Sequence, residues 1–259
     1  MDFTRLKQLV VPEGVVKKIE IGGKTTWQAV ARSPFTSAQS AAIRAGDFTD
    51  VPVGTGWTFS NVPYTYLDEN NTTVSDTYSG TMRVADCDYY LNTGDTPLTT
   101  HHVVVVPDEN MFTALMNATN TTAGGYVGSK MRTVYLRRAE AIFKACFGED
   151  HVLKHREYLV NAVVSDKESA GAWYDSVVEL MDERMVYGSA SYANTSLTSV
   201  SNKQLSLFKN NPDLIKTGSW YWLRNTYKST YFASVISGGA RTYGNAGNSG
   251  GVRPAALIY

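Results

Sequence analysis

Four histidines, two cysteines and several closely spaced acids are the residues that could do chemistry in this chain of 259 residues. His151 and His155 stand four apart, a spacing that sets both on one face of a helix. A zinc-protease helix needs Glu directly after the first His, and Val152 occupies that place. No third ligand is evident, so both read as surface or core-edge histidines. His101 and His102 precede an apolar run, and neighbours on a strand point to opposite faces, so the two cannot share a ligand. Asp86 and Asp88 are two apart on an expected strand and face one way. They form either a paired-acid site or a turn with solvated acids. Gly125-Tyr126-Val127-Gly128-Ser129-Lys130 has the composition of a phosphate loop without its spacing, and no Gly-x-Ser-x-Gly elbow occurs. Cys87 and Cys146 make no disulfide framework and are expected as free, buried thiols. After Asp213 the chain carries no Asp or Glu, which leaves calcium without carboxylates in the final run. The expectation is therefore a protein that is not an enzyme, with no metal and no cofactor.

The residues suited to binding lie elsewhere, in the run from Trp220-Tyr221-Trp222-Leu223-Arg224 to Gly251-Val252-Arg253-Pro254-Ala255. Between these ends, Asn225 to Gly250 is rich in Tyr, Ser, Thr, Asn and Gly. That much Gly excludes a helix, since each costs about 1 kcal/mol there relative to Ala. Tyr with Ser, Gly and Asn is also the composition of antibody-type paratopes, where Tyr supplies rigid amphipathic area and the small residues adapt. The run reads as two rigid anchors holding a looped, polar-aromatic surface; a turn-rich hairpin region of an ordinary domain would look similar.

The bulk properties narrow the classes. Hydrophobic residues make up 43% and charged residues 19%, which is globular rather than disordered. A formal net charge of zero removes the general electrostatic case for nucleic acid or an anionic membrane. No apolar run approaches the roughly 20 residues needed to span a bilayer, and the N-terminus shows no apolar signal core.

Along the chain, Val15 to Ile21 alternates into a strand, Gly22-Gly23 turns it, and Thr25-Thr26-Trp27 begins the return. Residues 31–34 read as a linker and Thr36 to Arg44 as a short helix. Tyr64 to Leu67 and Met82 to Asp86 read as strands around a polar turn, Asp68 to Ser75. His102-Val103-Val104-Val105-Val106-Pro107 should be a strand buried on both faces. Asp108 is placed to cap a short helix carrying Met111, Phe112, Leu115 and Met116. Ser129 is placed to cap a longer one, with Met131, Tyr135, Ile142 and Cys146 on its stripe and Gly148 at its end. His155 to Val164 is strand-like, and Trp173 to Met181 a strand or short helix.

The N-terminal Pro12-Glu13-Gly14-Val15-Val16, Lys18-Ile19-Glu20-Ile21-Gly22-Gly23 and Trp27 resemble a short module of tail and baseplate proteins of phages of Gram-positive bacteria. The remainder resembles a family of phage and prophage proteins from gut Firmicutes. Its matching pieces include Asp88 to Asp95, His101 to Asp108, Thr121 to Ser129, His155 to Val163 and Val178 to Met181. The last are Trp222-Leu223-Arg224 and Gly251-Val252-Arg253-Pro254-Ala255. The ending is similar to the C-type lectin fold, and the family resembles the variable proteins of diversity-generating retroelements. The resemblance implies an α+β, C-type-lectin-like domain over 45–259, behind a hairpin attachment module at 1–32 and a linker with a short helix at 33–44. It implies a binding face within 222–253. Asn225, Tyr227, Ser229, Thr230, Tyr231, Ser234, Arg241, Tyr243, Asn245 and Asn248 would be the ligand contacts. Trp222, Leu223, Arg224, Val252, Arg253 and Pro254 would be scaffold, the two arginines paired with buried carboxylates or carbonyls. The implied role is receptor binding at a phage tail, by a protein made in the bacterial cytoplasm. A bacterial surface protein or glycan would be the ligand, and other tail proteins the partners of 1–32. A homotrimer would follow by analogy with tail fibres. A fixed structural tail or baseplate protein using the same face for assembly is the alternative.

Overall fold

The structure, a computed structural model, describes residues 18–21, 24–28, 35–193, 197 and 203–259. The chain forms two units, Met1–Arg32 and Ser33–Tyr259. In the first, strands β1 (Lys18–Ile21) and β2 (Lys24–Gln28) pair antiparallel, with Ile19 opposite Trp27 and Ile21 opposite Lys24. Residues 9–17, the Gly22-Gly23 turn and the 31–34 linker lie outside the described residues.

The second unit opens with α1 (Ser37–Arg44). Thr36 caps it through a reciprocal box in which its Oγ1 accepts from Gln39 N and Gln39 Oε1 accepts from Thr36 N. Ile43 anchors the helix in the core with no exposed surface. The long hairpin of β3 (Gly56–Leu67) and β4 (Thr73–Cys87) follows, its turn pinned by Asp68 Oδ1, which accepts from Asn70 N and Thr72 N. Strand β3 alternates, but its parity changes midway. Trp57 and Phe59 are buried, and then Val62 and Tyr64. The switch is a bulge between Phe59 and Val62, where Asn61 takes φ of 51° and one extra residue faces the partner strand.

Next come β5 (Val103–Pro107) and β6 (Phe112–Leu115). A π-helical turn, Met131–Tyr135, runs into α2 (Leu136–Phe147). The remaining elements are β7 (Val152–Leu153), β8 (His155–Val164), β9 (Lys167–Ser176), β10 (Val178–Leu180), α3 (Glu183–Tyr187) and α4 (Ser206–Asn210). They end with β11 (Tyr221–Tyr227), β12 (Tyr231–Val235), β13 (Arg241–Asn245), β14 (Ser249–Val252) and β15 (Pro254–Ile258). The result is a mixed α+β fold with several sheets and few helices. No helix among the described residues is long and apolar enough to cross a membrane.

One sheet has the order β10-β15-β5-β4-β3, with β7 also on β15. Both faces of its centre are covered. Val103, Val105, Ala256 and Ile258 belong to one core and Val104, Val106, Ala255 and Leu257 to the other. This is why β5 and β15 read as unbroken apolar runs. Helix α2 lays Leu136, Ala139, Ile142, Phe143, Cys146 and Phe147 on the first core, with Phe147 edge-on to Trp57 and Phe59. The second sheet has the order β13-β12-β11-β14-β6; β11 and β14 run parallel and its other pairs antiparallel. β8 and β9 form a hairpin of their own.

Three expectations need correction. Residues 112–115 are a strand, because β6 pairs residue for residue with β14 and Ala114 O accepts from Trp222 Nε1 at 3.0 Å. Ser129 is not the N-cap of a regular helix. Its Oγ accepts from Arg132 N, but the first turn is π-wound, with Leu136 N bonded to Met131 O, and Tyr135 is left half-exposed. The stretch 225–250 is mostly strand rather than loop. Gly244, Gly247 and Gly250 serve close approach: a Cβ on Gly244 would sit 2.8 Å from the Trp222 ring.

Gly251 supplies a test. A Cβ there would overlap the Asn110 amide and lie 2.7 Å from the Trp220 carbonyl, whereas one on Gly238 would meet nothing within 4 Å. Gly251→Ala is expected to cost about 1–3 kcal/mol in urea unfolding and Gly238→Ala less than about 0.5 kcal/mol.

Candidate ligand-recognition face

The second sheet presents the predicted contacts on an edge where core gives way to solvent. Along β12, Tyr231, Ala233 and Val235 point one way. Their neighbours on the edge strand β13 are Asn245, Tyr243 and Arg241, and Tyr227 on β11 lies opposite Tyr231. Ala233 and Val235 are sealed in the second core, Tyr231 is half-buried, and Tyr243 is 45% exposed. The rings gather into one cluster. Tyr243 lies 4.8 Å from Tyr227 and 5.1 Å from Tyr231, centroid to centroid. A fourth ring, Tyr192, lies 4.8 Å from Tyr227 and 5.5 Å from Tyr243. These tilted and edge-on contacts stiffen the rings against one another. No hydrogen bond from any of the four hydroxyls is present among the described residues. Burial, then the nearby Glu183 carboxylate, push the Tyr192 phenol above its ordinary pKa, so it stays a neutral hydrogen-bonding group.

The turns beside the cluster are tied down. Lys228 takes a left-handed conformation, φ 58°, and its carbonyl accepts from Thr122 Oγ1. Ser229 is engaged on both sides of its backbone, N to Asp166 Oδ1 and O from Thr122 N. Thr230 O accepts from Ala246 N, and Asn245 O from Asn248 N. Ser229 and Asn248 are exposed, and Thr230 and Asn245 half-buried.

Three of the expected contacts have other roles. Ser234 is 1% exposed, on the opposite face of β12 between Trp222 and Thr242, so it is not available to a ligand. Asn225 turns its Oδ1 inward to accept from Glu183 N at 2.7 Å. Arg241 reaches Ser189 Oγ and Ser191 Oγ, both at 2.6 Å, and lies over the Tyr187 ring. Tyr192 was not among the residues the sequence singled out. Its signal was there, in a Ser189-Ala190-Ser191-Tyr192 stretch of the same composition as the C-terminal run.

Beneath the face lies a buried ionic network. Arg224 donates through Nη1 and Nη2 to Glu157 at 3.2 and 3.1 Å and through Nη2 to Asp182 at 3.3 Å. Tyr90 donates to Glu157 at 2.7 Å, and His155 Nε2 lies 3.2 Å from the same oxygen. Burial would raise the Glu157 carboxyl, but Arg224, His155 and Tyr90 outweigh it and hold it at about 2. Next to it, Glu168 accepts from Thr226 N and Oγ1 at 2.9 Å. Arg253 uses carbonyls instead, those of Pro107, Ile215 and Leu214, and stands over Phe208 and Tyr221. Trp222, Leu223 and Val252 are wholly buried, and Pro254 pairs with Leu180.

The residues weighed for catalysis are scattered. His151 sits in a 3-10 turn against Phe35 and Ser40, while His155 is on β8, so no helix aligns them. Asp86 and Asp88 do not share a site. A register shift between Val84 and Asp86 breaks the alternation of β4, and Asp88 lies past the strand's end at φ 51°. Asp86 accepts from Ser206 N and Oγ; Asp88 accepts from His102 N and bonds His101. Both thiols are free, and burial pushes Cys87 up to about 11 and Cys146 up to about 12.

Two outcomes follow from the network. Arg224→Met removes the guanidinium shared by two buried carboxylates and is expected to cost about 3–5 kcal/mol in urea unfolding. The folded-state pKa of Glu157 is depressed. Its contribution to stability is therefore full above the ordinary glutamate value of 4.5 and is lost as pH falls through about 2. In urea titrations between pH 4.5 and 2, Glu157→Gln should show a shallower decline than the native chain. No protein-family model, curated protein or solved structure matches this chain.

Proposed function

We propose that this chain is a phage tail-associated recognition protein of C-type-lectin-like fold, displaying a diversified C-terminal surface to a ligand on the bacterial cell. The observation that carries the reading is the tyrosine cluster. Four rings, whose hydroxyls make no hydrogen bond among the described residues, gather at a sheet edge whose interior is fixed by Trp222, Arg224 and Arg253. Rigid tyrosines that lose little entropy on binding, with Ser, Thr and Asn on the flanking turns, suit a surface that changes sequence while the backbone stays put. The final strand returning to the centre of the main sheet, between β5 and β10, supports the fold assignment. The N-terminal segment, residues 1–32, is assigned to attachment within the tail.

Nucleotide sequencing of the 3′ end of the gene and its downstream neighbourhood tests this. A near-identical repeat differing at adenines, beside a reverse transcriptase, is the expected result, and absence of any such repeat overturns diversification. Among closely related copies, changes should fall at 227, 229, 230, 231, 243, 245 and 248. They should spare Trp222, Arg224, Ser234, Val252 and Arg253, whose side chains are buried.

A further inference from the structure

We infer that the recognition surface is built from two separated segments: Tyr192 is a ligand contact, and Glu183 is the positioning residue that holds it in place. The inference rests on the recognition reading of this face.

Glu183 is fully buried at the start of α3, and among the described residues its one cationic partner, Arg241, stands off at 3.9 Å. Its carboxylate is held chiefly by successive backbone amides. Ser191 N donates to both oxygens at 3.2 and 3.1 Å, Tyr192 N to Oε2 at 2.9 Å and Ala193 N to Oε2 at 3.1 Å. Bonds from N–H groups to an ionised acceptor are the strong kind, and three consecutive amides turned to one carboxylate fix the path of the chain. Two residues of the C-terminal sheet close the clamp. Asn225 accepts from Glu183 N, and Arg241 bonds the hydroxyls of Ser189 and Ser191 with its Nη1 3.9 Å from Glu183 Oε1. The Arg241 guanidinium is spent on the loop and the Asn225 Oδ1 on the start of α3. Asn225 and Arg241 are positioning residues too, which removes them from the contact set.

The clamp places the Tyr192 ring against those of Tyr227 and Tyr243. The side chain is half-exposed, and its hydroxyl is unbonded among the described residues. The ring packs in part against the second core, and its remaining surface faces solvent beside the residues proposed to bind. The side of the face away from the C-terminal run is thus supplied by a segment with its own buried anchor.

The full chain, with 227, 231 and 243 randomised and Tyr192 left native, would be selected by ribosome display against immobilised hen egg-white lysozyme as a model protein ligand. Tyr192→Ala would then be placed in each selected binder. The expected result is at least a fivefold rise in Kd in most binders, with the melting temperature retained. Glu183→Gln should weaken binding similarly, but have no further effect in the Tyr192→Ala background, since it acts through that ring. Hydrogen exchange of the 191–193 amides should quicken in Glu183→Gln while β11 and β12 stay protected. Binders in which Tyr192→Ala changes Kd less than fivefold, although reverting 227 or 243 abolishes binding, would overturn the inference and leave the recognition reading standing. Equal losses from Glu183→Gln with and without Tyr192 would overturn the positioning role. A library that yields no binder would overturn the recognition reading itself, and this inference with it.

Discussion

Everything on the outer face depends on one buried guanidinium. Arg224 sits on β11 at the centre of the second sheet and is compensated by Glu157 from the β8–β9 hairpin and Asp182 from the approach to α3. It therefore ties together three parts of the chain that make no continuous sheet. Desolvating three charges is expensive, and only a full set of partners repays it. That requirement gives the network specificity: displacement of any one element would strand a charge in the interior. Asp182 also caps α3 through Met185 N, so the charge that anchors β11 fixes the helix from which Glu183 projects.

This arrangement separates the residues that hold the fold from those that face solvent, although they alternate along the same strands. On β11, Trp222 and Arg224 are buried while Tyr227 emerges at the end. On β12, Ala233 and Val235 are sealed and Tyr231 is not. The interior is thus set by large aromatic and charged groups with fixed partners, and the tyrosine rings meet at its margin.

Much of the framework was legible in the sequence where burial imposes a pattern. The valines of β5 declared a strand covered on both sides, and Trp222, Leu223, Arg224 and Arg253, which the resemblance placed in the scaffold, are buried. Legibility failed where a distant partner decided the outcome. Residues 112–115 have helical spacing of apolar groups, but the glycine strand β14 offers a ladder that a helix could not use. Gly244 and Gly250 looked like loop residues because the sequence does not show the Trp220 and Trp222 rings lying against them. The partners of Arg224 could not be identified either, since carboxylates are frequent and these two lie far away in the chain. Ser234 differs from Tyr231 and Tyr243 only in the direction its side chain takes, which is a matter of register. The clamp at Glu183 was hidden for a different reason. Its donors are backbone amides, which carry no sequence signature.

The parallel pairing of β11 with β14 bears on how such a surface can be remodelled by evolution. A parallel pair cannot be joined by a tight turn, so the chain between Tyr227 and Ser249 must leave the sheet's centre and come back. β12 and β13 are that excursion, with both ends moored in strands the core holds in place. The tip at 236–240 lies at the far end, with Ile236, Ser237, Gly238 and Ala240 exposed. The entropy of closing a loop grows only slowly with its length, so residues added or removed there leave the moorings where they are. The surface can thus change in reach as well as in chemistry, by gaining or losing residues at a point that no buried charge touches.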